Sequence, residues 1–281
     1  MIAGADLRAE GVWFSYPGRE PALRGVDVEI GAGQFVALVG QNGSGKTTLA
    51  KHFNGLLRPG RGRILVDGQE IAERQTADLA STIGYCYQNP DHQIFATTVA
   101  EEIEFGPRNL GVSAEEVVAR TGRLLDLVNL RDEAERYPFS LGRGQRQKLA
   151  VASVLAMEPR ILIVDEPTTG LDWQGGAAMM RLMRELHASG RTIVIITHDM
   201  NIVAEFAERA IVMAGGRIVV DGTPAGVFSD DDALREADLR VPQAFQITRR
   251  RPDLFDGQPL TVDEARRALL SRSTVAAGDL S

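Results

Sequence analysis

Apolar and polar positions alternate from Gly25 to Ile30, and an apolar, β-branched run follows from Gln34 to Gly40, with glycines at 31 and 33 between them. Both stretches predict strands. Beyond Gly40, small and polar residues lead through Thr48 into Leu49, Phe53 and Leu56, spaced along one face of a helix. The pattern therefore predicts a strand, a glycine-rich turn and a helix in succession. Ser113 and Glu116 form a capping-box pattern ahead of Val117, Leu124, Leu125 and Val128, which repeat with helical period. The runs Arg160 to Asp165 and Thr192 to Thr197 are short, β-rich and flanked by helical patterns, as buried parallel strands are. This alternation predicts an α/β fold. Arg217 to Asp221 reads as a further strand. The acidic run Asp230 to Asp232 then opens a tail of different character, with Pro242, Arg249 to Arg251, Pro252 and Pro259, and a boundary near residue 230 follows. Within the tail, Thr261 and Glu264 predict the cap of a short helix carrying Val262, Ala265 and Leu269.

With 281 residues, the chain is long enough for one large domain or a domain with an appendage. Its 44% hydrophobic and 25% charged residues exclude intrinsic disorder. A net charge of −7 argues against a general nucleic-acid coat, whose phosphate contacts need clustered Lys and Arg. The longest apolar runs, such as Ile193 to Ile196, fall far short of the ~20 residues a membrane helix needs. Met1 to Glu10 carry acids rather than the apolar core of a signal peptide, and Cys86, the one cysteine, forms no disulfide within the chain. A cytosolic chain is expected.

Gly40, Gln41, Asn42, Gly43, Ser44, Gly45, Lys46 and Thr47 fit the pattern G-x-x-x-x-G-K-[ST]. Its small residues let backbone N–H groups turn inward around phosphates, and the N-terminus of the following helix favours negative charge. Lys46 would neutralise the β and γ phosphates, and the Thr47 hydroxyl would ligate Mg²⁺. A chance glycine-rich turn is the plainer reading, and the strand and helix on either side count against it. Ile161 to Val164 lead into Asp165 and Glu166, two carboxylates at the end of a buried strand, where α/β folds hold ligands. Asp165 suits Mg²⁺ through water, and Glu166 suits a base that orients attacking water. Alone, the pair would equally well solvate a strand end. His198 follows Thr192 to Thr197 and falls on the same edge, in a place that suits either contact with a γ-phosphate or a structural role.

Together with Gln88 after a strand, the glycine-rich run ending Gly144-Gln145, and Gly170-Leu171-Asp172, these residues resemble the ATP-binding cassette ATPases over about residues 7 to 230. The resemblance implies a P-loop NTPase, with a RecA-like core, an antiparallel β subdomain and an inserted α-helical subdomain of roughly residues 90–155. This nucleotide-binding domain would span 1–230 and be followed by a short C-terminal extension over 231–281. The resemblance also implies that Tyr16, in Phe14-Ser15-Tyr16, stacks on adenine and that Thr48 completes the phosphate loop. Gln88 would join Thr47 and Asp165 around Mg²⁺ and water, Glu166 and His198 would serve hydrolysis, and Asp172 would communicate across a dimer. The plainer places are an edge strand for Tyr16, solvent for Gln88 and a helix cap for Asp172.

A narrower resemblance rests on Gln88-Asn89-Pro90-Asp91-His92-Gln93-Ile94-Phe95, Thr98-Val99, Glu102-Ile103, Phe105-Gly106-Pro107 and Asn109-Leu110-Gly111. These are similar to the ATPase of energy-coupling factor importers. That likeness implies paired ATPases, peripheral on the cytoplasmic face of the cell membrane. They would drive a membrane scaffold subunit and a membrane substrate-binding subunit in the uptake of a vitamin or a transition-metal ion such as cobalt or nickel. Gln88 to Phe95 would form part of the groove for the scaffold's coupling helices. ATP and Mg²⁺ are the implied ligands, and no nucleic acid is expected. Two other classes share the motifs. One is a soluble ATP-dependent clamp outside transport, against which the single cassette and the acidic balance stand. The other is a catalytically weak ATP-binding partner in a heterodimer, against which Glu166 stands.

One motif departs from the family. The usual run L-S-G-G-Q appears as Leu141-Gly142-Arg143-Gly144-Gln145, with Gly142 in place of Ser and Arg143 in place of the first Gly. In the family this helix N-terminus caps the γ-phosphate held by the opposite subunit. A hydrogen bond to a charged group contributes roughly 1.5 to 3 kcal/mol, so losing the Ser hydroxyl alone would weaken closure about tenfold or more. Three readings of Arg143 stay open on the sequence. It is a cationic finger on the partner's γ-phosphate in a homodimer, or it crowds the loop and leaves this chain paired with a different ATPase, or it points outward while the backbone amides still bind phosphate.

Overall fold

The computed structural model describes residues 3–255 and 257–278, and side chains up to residue 271. The chain runs through β1 (Leu7–Ser15), β2 (Pro21–Ile30), β3 (Phe35–Val39), α1 (Lys46–Phe53), β4 (Arg61–Val66), β5 (Gln69–Glu70), α2 (Thr76–Leu79) and β6 (Ile83–Cys86). Three helices come next, α3 (Val99–Asn109), α4 (Ala114–Val128) and α5 (Arg143–Leu155). They precede β7 (Ile161–Asp165), α6 (Trp173–Ala188), β8 (Thr192–Thr197), α7 (Met200–Phe206), β9 (Arg209–Ala214) and β10 (Arg217–Gly222). The last elements are α8 (Pro224–Ser229), α9 (Asp231–Glu236), α10 (Gln243–Arg250) and α11 (Val262–Gly278).

Two sheets form. One is antiparallel in the order β2-β1-β4-β5, and the other has the order β10-β9-β3-β8-β7-β6 and is parallel from β9 to β6. The parallel strands are apolar at nearly every position because both faces are covered, and successive residues point to different cores. Phe35, Ala37 and Val39 pack with helices α5 to α8. Val36 and Leu38 pack instead with α1 and the antiparallel sheet. This is the α/β fold that the alternation predicts.

Several local expectations are refined. The alternation seen over 25–30 extends back to Pro21, and β2 pairs with β1, whose register shifts between Ala9 and Val12 disguise its period. Leu56 lies beyond the first helix rather than on it, because α1 stops at Phe53 and Gly55 turns the chain with φ +74°. Ser113 accepts from the Glu116 N–H at 3.3 Å, but the Glu116 carboxylate leaves the cap to meet Arg123. Thr261 and Glu264 do cap each other, and their helix is longer than the short one expected, running to Gly278. The tail packs into the main core: Asp230 caps α9, and Leu234, Ala237 and Phe245 join Phe228 and the β3 side chains there. Among the described residues, no helix is long and apolar enough to cross a membrane.

Candidate functional site

Strand order decides where the chemistry falls. β3, β8, β7 and β6 are parallel neighbours, pairing Val39 with Thr197, Ile196 with Asp165, and Val164 with Cys86. Their C-terminal ends share one edge of the sheet. The glycine-rich loop after β3, His198 after β8, the Asp165-Glu166 pair and Gln88 beyond β6 therefore stand side by side.

Backbone shape requires glycine at two points of the loop. Gly40 has φ +149°, and a Cβ there would meet the Met213 carbonyl oxygen at 2.3 Å; Gly45 has φ +106°, and a Cβ there would meet the Ala22 oxygen at 2.7 Å. The turn delivers Lys46, only 6% exposed, whose Nζ donates to the carbonyl oxygens of Gly40 at 2.8 Å and Gln41 at 2.7 Å. Burial pushes the Lys46 pKa down, and the Glu166 and Asp165 charges oppose that. Its hydrogen-bond partners are neutral, so the positive charge is left for an anion.

Thr47 Oγ1 donates to Asp165 Oδ2 at 2.8 Å, and the hydroxyl of buried Tyr85 donates to the same oxygen at 3.1 Å. Burial raises the Asp165 pKa while these two donors lower it. Burial, then the Asp165 charge, push the Tyr85 hydroxyl far above its usual range, which keeps it a donor. Tyr85 was not legible as a site residue in the sequence. In β6 it is one more position of a buried strand, and only the pairing of β6 with β7 carries it to Asp165.

Glu166 is 7% exposed and has φ +51°, a strained backbone for a residue other than glycine. Its Oε1 lies 2.7 Å from His198 Nδ1, and Thr169 Oγ1 donates to its Oε2 at 3.1 Å. Tyr16 follows β1, with its hydroxyl 3.4 Å from Thr48 Oγ1 and its ring edge-on to Phe14. A cavity of about 460 Å³ is lined by Tyr16, Lys46, Thr47, Gln88, Asp165 and Glu166, among others. The oxygens of Thr47, Asp165 and Gln88 form a hard donor set that fits Mg²⁺, which keeps several waters and takes few carboxylates when phosphates are present. Among the described residues there is no group of three or more His, Cys, Asp or Glu that could hold a metal ion.

None of Leu141 to Gln145 lines that cavity. Gly142 caps α5 without a side chain, and its N–H donates to Gln145 Oε1 at 3.1 Å. The first-turn amides of α5 therefore have no side-chain acceptor, the arrangement that receives an anion. Arg143 lies along Gly170, where a Cβ would approach its Cζ to 2.5 Å, and it forms no ion pair among the described residues. Asp172 is a helix cap, its Oδ1 accepting from the Gly175 N–H at 2.7 Å. Past Gln88, buried Glu102 accepts from the N–H groups of Phe95 and Ala96 at 2.9 Å each, and the exposed rings of Phe95 and Phe105 pack edge to face at 4.6 Å.

The family described as ABC transporter matches residues 23–169. A protein of Caldanaerobacter subterraneus, provisionally named an ABC transporter ATP-binding protein, is 44% identical over 92% of this chain, and the chain spans 45% of that relative's length. The energy-coupling factor transporter ATP-binding protein EcfA of Methanocaldococcus jannaschii is 38% identical over 94% of this chain and 97% of its own length. Among solved structures, cbiO1 of Clostridium perfringens, part of the ABC transporter complex cbiONQ, is 35% identical with a TM-score of 0.74, covering 86% of this chain and 98% of its own.

Proposed function

Since the chain belongs to the ABC transporter family and is an ATPase of that family, we propose that it powers an energy-coupling-factor-type importer of a vitamin or a transition-metal ion. The observation that carries the ATP-hydrolysing part of this reading is the convergence of Lys46, Thr47, Asp165 and Glu166 on one cavity at the strand ends. The loop amides of residues 40–48 and Lys46 hold the β and γ phosphates, and Tyr16 stacks on adenine. Thr47, Gln88 and Asp165 arrange Mg²⁺, which when bound neutralises charge on the phosphate oxygens. Glu166 orients the attacking water and draws its proton, while His198 holds that carboxylate and senses the γ-phosphate.

A second copy of the chain completes each site. Leu141, Gly142, Arg143, Gly144 and Gln145 of one subunit close over the phosphates of the other, and Asp172 links the two sites. The start of α5, whose first-turn amides have no side-chain acceptor, and Arg143, which forms no ion pair among the described residues, support this. ATP binding closes the pair and hydrolysis reopens it. Residues 1–230 form the nucleotide-binding unit, with 90–155 as its helical part and 231–281 as an extension. The exposed pair Phe95 and Phe105 gives a scaffold subunit's helix an apolar seat, which would hold the ATPase to the cytoplasmic face of the membrane through protein rather than lipid. The likeness to EcfA and to cbiO1 supports those partners, a scaffold and a substrate-binding membrane subunit.

The test is phosphate release. Purified protein with ATP and Mg²⁺ should release phosphate, and Glu166→Gln should retain ATP binding while lowering release about 10²- to 10⁴-fold. Equal rates in the two proteins would overturn the assignment of Glu166. Copurification of a membrane protein with the tagged chain checks the transport partner.

A further inference from the structure

The phosphate loop has an attachment that the hydrolytic site does not use. The Gln41 carbonyl accepts from Lys46 Nζ at 2.7 Å, and the Gln41 side-chain Nε2 donates to Asp238 Oδ2, 197 residues along the chain. Asp238 follows α9, whose end closes with two backbone hydrogen bonds, from the Asp238 N–H to the Arg235 oxygen at 3.2 Å and from the Leu239 N–H to the Leu234 oxygen at 2.9 Å. This paired helix stop needs a left-handed residue where Asp238 stands, and Asp238 has φ +46°.

Glycine is the usual residue at such a position, because a Cβ is disfavoured in that conformation. An aspartate stands there instead, in a conformation that costs it more than glycine, and its carboxylate reaches the loop. Strain of this kind points to a side chain with a task. Neighbouring arginines do not claim the carboxylate: Arg235 and Arg249 share a surface hollow with Asp238 but pair with Asp232 and Asp231. The base is firm as well, since Leu234 and Ala237 are anchored in the main core. Glu236 and Ala237 also border a cavity of about 130 Å³ behind Gln41 to Ser44.

We propose that Asp238 is a positioning residue for nucleotide binding. Through Gln41 it holds the first half of the phosphate loop, including the carbonyl that seats Lys46, in the shape that receives phosphate. The C-terminal extension thereby sets nucleotide affinity and takes no part in the chemical step. The inference rests on the reading that this loop binds ATP.

The test compares the full-length protein with Asp238→Gly and Asp238→Asn by calorimetric ATP titration, thermal melting and steady-state phosphate release. Asp238→Gly relieves the backbone strain and removes the carboxylate, so its melting temperature should stay level or rise while its Kd for ATP rises about two- to tenfold, the loss of one hydrogen bond. KM should rise with Kd, and kcat should not change. Asp238→Asn keeps an acceptor and tolerates the left-handed backbone, so it should retain most of the affinity. An unchanged Kd in Asp238→Gly would overturn the proposal, as would a loss of affinity that merely tracks a lower melting temperature. A wild-type protein that binds no ATP would instead remove the proposed function and this inference together.

Discussion

His198 Nδ1 stands 2.7 Å from Glu166 Oε1, so two neighbouring strand ends, β8 and β7, supply one bonded unit. Glu166 has φ +51°, and its other carboxylate oxygen accepts from the Thr169 hydroxyl. A carboxylate held on both oxygens has little freedom to point elsewhere. His198→Ala should therefore leave ATP affinity near that of the wild type while phosphate release falls on the order of 100-fold, the cost of misplacing a reacting group by about an ångström. Calorimetry and steady-state phosphate release check the two halves of that expectation, and an unchanged rate would reject His198 as the holder of Glu166.

Tyr85 and Thr47 share one acceptor, Asp165 Oδ2. With Mg²⁺ bound, Thr47 would turn from Asp165 to the metal, and the tyrosine would remain to fix the carboxylate. Tyr85→Phe should raise the Mg²⁺ concentration needed for half-maximal hydrolysis about two- to tenfold and leave Mg²⁺-free nucleotide binding untouched. A Mg²⁺ titration identical to that of the wild type would show that Tyr85 only fills space.

Arg143 separates the readings left open by the altered signature run. Its guanidinium covers Gly170 and has no acidic partner among the described residues. As a cation acting across the dimer, it should lower phosphate release at least about tenfold when changed to Ala. An unchanged rate would leave the amides at the start of α5 as the phosphate ligands.

His52, on α1 behind the phosphate loop, is fully buried, with Nδ1 2.7 Å from the Thr48 oxygen and its ring edge-on to Phe14. Burial pushes its pKa below the ordinary 6.5. The unfolded chain then binds more protons than the folded one, so the stability present above that ordinary value is lost as pH falls through it toward the folded pKa. His52→Leu removes this component. Its melting temperature should drop less than that of the wild type between about pH 7.5 and 5.5. Parallel curves for the two proteins would contradict that.

The parts legible in the sequence are those whose physics is local. Gly40 to Thr47 announces its turn because glycine tolerates the backbone angles the loop requires, and the apolar runs before Asp165 and His198 announce buried strands. The order β3-β8-β7-β6 is not local, since it places strands side by side that lie far apart in sequence. Tyr85 and the Gln41 to Asp238 bond were hidden for that reason. β1 was hidden because a shifted register breaks its alternation. The Leu141 to Gln145 run is legible only through resemblance, and its contact between Arg143 and Gly170 depends on how α5 meets the loop after β7.

The most direct test of the two-subunit site uses purified Glu166→Gln, which should hold ATP unhydrolysed, in size-exclusion chromatography with light scattering. With ATP and Mg²⁺ the predicted result is a shift from the mass of one chain to that of two. A protein that binds ATP and stays monomeric would contradict closure between two copies and would turn the search to an unlike ATPase partner.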